Sequence, residues 1–393
     1  MHLPAKLGGA GFTSVRRTVE AAYVAGCVAA LQDLRRHVNG NITQADETGV
    51  FRAPGIAGLD DALDQLRASS EDMRKMLNKA DPLHPADGAV RSSGLQHGLS
   101  EALNKQLKER CLAHYRAKPP DQFGRTQAAA MLSCQGPGAA WVGVIPARDA
   151  STVLADAQCA LAYKRRLGAP LLPEPCACVK CGGTNDPFGH HAFLCPSGEQ
   201  KGERNRSHTA VKVALKHIVA CHPQLSSRME AKVASFYARK LVGVGADEAA
   251  TEHRCDIIAS AVAGTVFGRD NHLLIDVTVR HPKPDGGGDT QPGSAADAGH
   301  KEKLQFYSGR YKVQKEAIIP FSVETFGYLG LAAVALLKHV AEATSGGRAS
   351  YSRKVRYFYQ CIAVAIQRGG AEAVARWLSE CVPEAAASQA AGA

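Results

Sequence analysis

Five metal-capable side chains, Cys178, Cys181, His190, His191 and Cys195, fall within the eighteen residues CVKCGGTNDPFGHHAFLC. Few other segments of a 393-residue chain restrict its folding as strongly. A Cys-x2-Cys pair puts two thiolates on one tight turn, and a His and a Cys return after a loop rich in Gly and Pro. Four ligands at that spacing can close a tetrahedral shell around Zn²⁺. Gly182, Gly183 and Gly189 permit the sharp turns of such a knuckle. The competing reading, buried cysteines beside surface histidines, accounts poorly for the spacing. His190 leaves a four-residue gap to Cys195 and His191 a three-residue gap, and both are workable. Cys176 is a spare thiol. A hydrolytic zinc centre is disfavoured, because a shell closed by three thiolates leaves no open position for substrate.

Composition agrees without deciding. Twelve cysteines behind an N-terminus with no signal-peptide layout fit a reducing compartment and metal binding better than disulfides. The longest apolar run, near Leu329 to Leu337, is too short to span a bilayer, so no membrane partner is expected. A net charge of +10 points to polyanions. Part of it is concentrated: residues 201–240 hold nine Lys/Arg and two acids, Glu203 and Glu230. Arg204, Arg206, Lys212 and Lys216 in this stretch are candidate phosphate contacts. A solvated helix face is the plainer alternative for the same charges.

Periodicity gives a mainly helical region over 1–110, with helices at Val15–Arg36 and Gly58–Asn78. A connecting helical segment, 111–175, includes a helix over Thr152–Leu167. The knuckle spans 176–199. An amphipathic helix follows at His208–Cys221, then two β-branched, apolar segments, HRCDIIASAV and HLLIDVTV, that read as a hairpin turning at Gly268–Asn271. A poorly ordered loop is expected over Pro282–Gly299, and a charged helix from about Ala298. One more strand (AIIPFSVETF) and two helices, the first buried all round, complete an α/β domain over 200–382 with a central mixed sheet and helices on both faces. Residues 383–393 read as a frayed tail. The fold class expected is therefore mixed α/β behind a helical N-terminal region and a zinc knuckle.

Asp276 lies inside an apolar strand, where an unpartnered carboxylate is costly. If its strand pairs with the one that begins at Asp256, the two acids can meet at the strand ends. Hard oxygen ligands there suit Mg²⁺. Lys303 can supply positive charge to a developing phosphorane-like transition state. A carboxylate satisfied by ordinary hydrogen bonds is the equal alternative.

Several short stretches, taken in order, resemble the C-terminal portion of non-LTR (LINE-like) retrotransposon polyproteins that carry a restriction-enzyme-like endonuclease. They are LPAKLGGAGF (Leu3 to Phe12), GPGAAW, YKRRLGAPL, the knuckle, and ETFGYLGLAAVALL from Glu324. The family's Gly-Asp-His-Ala-Leu matches Gly189-His190-His191-Ala192-Phe193, which favours His191 as the ligand. The resemblance also aligns His208 with the His after the knuckle and Glu230 with the acid before the sheet. Its Arg-Pro-Asp motif becomes Arg254-Cys255-Asp256, its second acid Asp276, and its Lys-x-x-x-Tyr motif Lys303 and Tyr307. The likeness is weakest between about 40 and 130. Cys255 replaces the proline, and no polymerase Tyr-x-Asp-Asp motif is present.

The resemblance implies a nuclease of the PD-(D/E)xK group in which Thr278 occupies the usual lysine position and Lys303 takes over, with Lys301 as substitute. It implies a catalytic set of Asp256, Asp276, Lys303, Glu230 and Tyr307, with structural Zn²⁺ and catalytic Mg²⁺. Arg204, Arg206, His208, Lys212, Lys216 and Arg254 would contact nucleic acid. The partners would be DNA and RNA, and a full-length element-encoded reverse transcriptase, with no small-molecule cofactor. The compartment would be the nucleus, or else the cytoplasm. The alternative function is a catalytically inactive nucleic-acid-binding remnant.

Overall fold

In a computed structural model of the chain, the described residues are mainly 15–37, 44–45, 51–52, 58–79, 92–119, 123–144, 150–197, 201–239, 253–261, 271–284 and 290–380. The expected turn at Gly268–Asn271 lies largely outside them, as does the tail. The chain divides into two compact units near His114/Tyr115.

The first unit holds α1 (Val15–His37), the two-residue strands β1 (Gln44–Ala45) and β2 (Phe51–Arg52), α2 (Leu59–Ser69), α3 (Glu71–Lys79) and most of α4 (Ser92–Arg116). Val24, Val28 and Leu31 of α1 meet Leu59, Leu63 and Leu66 of α2, Met73 and Leu77 of α3, and Leu95 and Leu99 of α4. The single helix expected over Gly58–Asn78 is two. Ser70 is extended (φ −163°), and its Oγ accepts the Met73 amide at 3.2 Å. A serine cap followed by Glu71 and Asp72 restarts the helix, which outweighs continuous periodicity.

The second unit runs α5 (Gly124–Ser133), α6 (Asp156–Leu167), β3 (Cys176–Ala177), β4 (Thr184–Asn185), α7 (His191–Leu194), α8 (Lys201–Ala220), β5 (Leu225–Lys232), β6 (Arg254–Ala261), β7 (His272–Arg280), α9 (Ser294–Arg310), β8 (Ile318–Glu324), α10 (Leu331–Ala343) and α11 (Arg348–Glu380). The sheet order is β5-β6-β7-β8, antiparallel except for the parallel β7–β8 pair, so the sheet is mixed. Ile257, Ala259, Ile275, Val277, Phe321 and Val323 face α8, α10 and α11. On the other face, Cys255, Ile258, Leu274 and Ile318 meet Tyr307 and Tyr311 of the α9 region. Two-sided cover explains why β7 and β8 are almost continuously apolar.

Two expectations require correction. α9 begins at Ser294, after left-handed Gly293 (φ 84°), so the loop before it is shorter than Pro282–Gly299. The carboxylate of Glu324, at the end of β8, accepts the Ala295 and Ala296 amides and fixes that early start. α10 is not buried all round. Ala333, Leu336, Leu337, Val340 and Ala341 face the core, while Leu331 is 81% exposed, because only one side of the helix meets the sheet. The knuckle shares this unit: Phe193, Ala192 and Leu172 pack on Ala373, Val374 and Trp377 of α11. Among the described residues, no helix is long and apolar enough to cross a membrane.

Candidate functional site

Local geometry builds the Cys/His cluster first. Left-handed Gly182 (φ 71°) and Gly189 (φ 77°) make its two sharp turns. Asp186 gathers the ligand loop through its carboxylate, accepting the Phe188 and His190 amides on Oδ1 and the His191 amide on Oδ2 at 2.7 Å. Ligand atoms of Cys178, Cys181, His191 and Cys195 all lie within 4.8 Å of one another, and Cys181 Sγ is 3.3 Å from His191 Nε2. These four could hold a metal ion such as zinc, and soft thiolates with one imidazole suit it. Burial lowers the His191 pKa, which favours the neutral ring a metal requires. Burial, reinforced by the neighbouring thiols and only partly offset by the Gly183 amide, pushes Cys181 up to about 11. A bound cation would reverse that shift.

His190 does not belong to the ligand set. It is buried, and its Nδ1 lies 2.9 Å from His281 Nε2, while His281 Nδ1 meets Thr325 Oγ1 at 2.8 Å. Phe193 stacks on His281 with rings 5.0 Å apart and 3° from parallel. The two adjacent histidines therefore face opposite ways, one toward the thiols and one toward the end of the sheet. Cys176 is also outside the set; its Sγ accepts from Asn185 Nδ2 at 3.7 Å.

The acids follow from strand register. Ile257 pairs with Ile275, so the next facing positions are Asp256 and Asp276. Met229 pairs with Ile257 and Ala231 with Cys255, which sets Glu230 opposite Asp256. Three acids thus occupy one row across β5, β6 and β7. Glu230 has φ 51° within its strand, and the Arg254 guanidinium braces its carbonyl at 3.0 Å. A left-handed non-glycine residue there marks a local irregularity of the bulge type. Alternation also slips in β6: Cys255 joins the α9-side core and Ile257 the α8-side core. Asp256 consequently turns toward α8.

Both carboxylates are buried, at 8% and 4% exposure for Asp256 and Asp276. His208 Nε2 lies 2.9 Å from Asp256 Oδ2, which also accepts the Val277 amide at 2.8 Å, and Lys212 Nζ lies 3.7 Å from Oδ1. Lys212 also pairs with Glu230. Burial alone would raise the Asp256 pKa, but His208, the Val277 amide and Lys212 outweigh it and hold the carboxyl below its usual range. Asp276 is served from the opposite side of the sheet. Lys303 Nζ is 2.8 Å from its Oδ1, and the Tyr307 hydroxyl donates to Oδ2. Burial, with the charge of Asp256 added, pushes Asp276 up in spite of Lys303 and Tyr307. Tyr307 itself is pushed far up by burial and by Cys255 and Asp276, so it remains a donor.

His208 and Lys303 both line a cleft of about 550 Å³, together with Arg280, Lys283 and the knuckle residues Phe193 and Leu194. Sequence reasoning assigned His208, Lys212, Lys216 and Arg254 to nucleic acid. In the structure His208 and Lys212, one helical turn apart on α8, reach the acid row, and Arg254 braces Glu230. Among the described residues, Lys216 forms no ion pair with the acids. Arg206 is exposed on α8, and the side chain of Arg204 lies outside the described residues. Tyr307, at 1% exposure, serves Asp276 and is shut off from any phosphate. Lys301 is exposed, two residues and about 200° around α9 from Lys303. Lys212 pairs with Glu230 and lies beside Asp256, a role that sequence reasoning did not assign to it. The only signal for it was its four-residue spacing from His208.

No protein-family model matches the chain, and no curated protein matches it.

Proposed function

We propose that the chain is a Mg²⁺-dependent DNA endonuclease, a fragment related to the C-terminal region of non-LTR retrotransposon polyproteins, with a restriction-enzyme-like fold and a structural zinc knuckle. The observation that carries this reading is the 2.8 Å approach of Lys303 to Asp276, one row position from Asp256, which is also buried. Two buried acids on neighbouring strands beside a lysine supplied by another element form a constellation suited to phosphodiester hydrolysis.

The residues fit a hard cation. Asp276 Oδ1 is buried and has the Lys303 ammonium at 2.8 Å. Asp256 Oδ1 has Lys212 only at 3.7 Å. On this reading Asp256 and Asp276 would hold Mg²⁺, with Lys212 and Lys303 giving up carboxylate oxygens to the ion. The ion would supply Lewis acidity toward the phosphoryl group and an attacking water. Lys303, at the cleft wall, offsets negative charge that develops on the phosphoryl oxygens. Tyr307 fixes the orientation of Asp276. Lys212 holds Glu230 and Asp256 together from the α8 side, and His208 orients Asp256. DNA backbone would approach along the cleft lined by Arg280 and Lys283.

The test is a Mg²⁺-dependent plasmid-nicking assay with Asp276→Ala as control. Nicking by the wild type and none by the variant supports the reading. Equal nicking by both removes this site. A second reading, a nucleic-acid-binding remnant without catalysis, draws on the fact that both acids already hold protein cations. A wild type that binds DNA without cleaving it in any divalent metal supports the remnant.

A further inference from the structure

We infer that the surface at the α10–α11 turn is a separate binding site for single-stranded nucleic acid. This inference does not depend on the nuclease reading.

The argument begins with charge. Between Glu342 and Glu372 the chain has no acid and five cations, Arg348, Arg353, Lys354, Arg356 and Arg368. On α8 the basic side chains nearest the sheet are neutralised by Glu230 and Asp256. At the C-terminal end of α11, Arg376 pairs with Glu380, but the N-terminal turns differ. Arg348, Arg353 and Arg356 are exposed, and among the described residues none of the three is ion-paired with an acid. Solvated arginines without acid partners are the side chains best suited to phosphate, because their planar fork presents several donors at once.

Aromatic rings interleave with these cations. Arg348, Tyr351, Lys354 and Tyr357 follow one another at three-residue spacing through the first three turns of α11. Two open grooves flank the turn. One, of about 620 Å³, is lined by Lys354, Tyr357, Phe358, Thr344, Cys221 and Pro223. The other, of about 420 Å³, is lined by Arg348, Tyr351, Gly347, Ser345 and Glu342. Each groove thus offers one tyrosine and one basic residue of α11. Lys354 is engaged by the Thr344 carbonyl, so it holds the turn in place and leaves phosphate contact to the arginines. Tyr357 is 40% exposed, which leaves its ring open to a stacked base.

Exposed arginines beside two tyrosine-bearing grooves suit an unpaired strand, with bases on the rings and phosphates on the guanidinium groups. A duplex would keep its bases stacked inside and leave the tyrosines unused. The site is also remote from the acid row. The groove wall at Cys221 lies nine residues beyond Lys212 on α8 and just past its end, about 14 Å along the helix axis.

The experiment is fluorescence anisotropy with labelled 20-nucleotide single strands, in DNA and RNA arms, beside a duplex of the same sequence. The full chain is compared with Arg348→Ala/Arg353→Ala/Arg356→Ala and with Tyr357→Ala, each checked for an unchanged melting temperature. The triple variant should weaken single-strand binding at least about tenfold and reduce the salt slope by about two, since each single-strand phosphate contact contributes about 0.7. Tyr357→Ala should weaken single-strand binding about fivefold or more and leave duplex binding unchanged. The DNA and RNA arms then distinguish the two sources. Unchanged single-strand affinity in the triple variant would overturn the site. So would equal losses for single strand and duplex in Tyr357→Ala, which would mean that the ring only supports the fold. If the patch binds as described but the chain never nicks DNA, the nuclease reading fails while this one stands.

Discussion

The Val277 amide donates a 2.8 Å hydrogen bond to Oδ2 of Asp256, so the carboxylate of β6 is tied to the residue directly after Asp276. A ladder donor is thereby used to fix a side chain at the point where the two strands stop pairing. The bond couples the two acids mechanically, and their charges couple them electrostatically. Their pH behaviour is opposite: against burial, His208 leads the contacts that hold Asp256 low, whereas burial and the charge of Asp256 push Asp276 up.

Asp276→Asn should raise the melting temperature at pH 7. The folded-state pKa of Asp276 lies above its unfolded value, so its contribution to stability is present at acid pH and is lost as pH rises through the folded pKa. Asparagine removes the buried charge and still accepts from Tyr307. A gain of about 1 kcal/mol at pH 7, vanishing below pH 4, is expected in thermal melts. A variant less stable than wild type at pH 7 would mean that Lys303 already compensates the charge fully.

Asp256→Asn should behave in reverse. The carboxyl is held low in the folded state, so its stabilising effect is present above the unfolded pKa and disappears as pH falls through the folded one. Urea unfolding should show a loss of about 1–2 kcal/mol at pH 7 that shrinks toward pH 3.

Lys212→Met removes a cation whose side chain is 11% exposed and leaves Asp256 and Glu230 facing one another. Breaking a largely buried pair is expected to cost about 2 kcal/mol or more at pH 7. Affinity for duplex DNA and its salt slope should not change. A slope reduced by about one would return Lys212 to the DNA-contacting set.

The two histidines of the knuckle should separate cleanly. Co²⁺-substituted protein should show thiolate charge-transfer absorption. His191→Ala should lose metal affinity, whereas His190→Ala should keep the metal spectrum and lose about 1–3 kcal/mol of stability, since His281 is left without its partner. Loss of metal in both variants would mean that the His190–His281 bond is needed to shape the ligand loop.

Gly369→Ala should be destabilising by about 2 kcal/mol in urea unfolding, although alanine is ordinarily the better helix former. A Cβ at Gly369 would stand 2.5 Å from the Ser207 Cα, so α8 and α11 would have to separate. A stable variant would show that this crossing can relax.

The metal cluster was legible because its ligands are close in the chain. Cys178, Cys181 and Cys195 needed only spacing and glycine turns. β6 and β7 were legible from runs of β-branched residues, and their antiparallel pairing from the short connection. Asp276 could be singled out because a carboxylate in an apolar strand demands a partner. The break at Ser70 was also written locally, in a serine followed by two acids, but the periodicity on either side of it concealed the cap.

What spacing could not decide depended on direction. Adjacent residues on a short helix diverge by about 100°, so His190 and His191 cannot both face the thiols, and packing against His281 and Phe193 settles which one does. A lysine on an amphipathic helix reads the same whether it meets water or acids. Lys212 became a partner of Asp256 only because α8 crosses the strand at the slip in its alternation. In the same way, α10 is apolar in composition but one-sided in burial. The sequence by itself determined the local chemistry, the ligand turn, the strands and the isolated acid. The tertiary structure decided which charges oppose one another, because that depends on register and helix crossing between residues far apart in the chain.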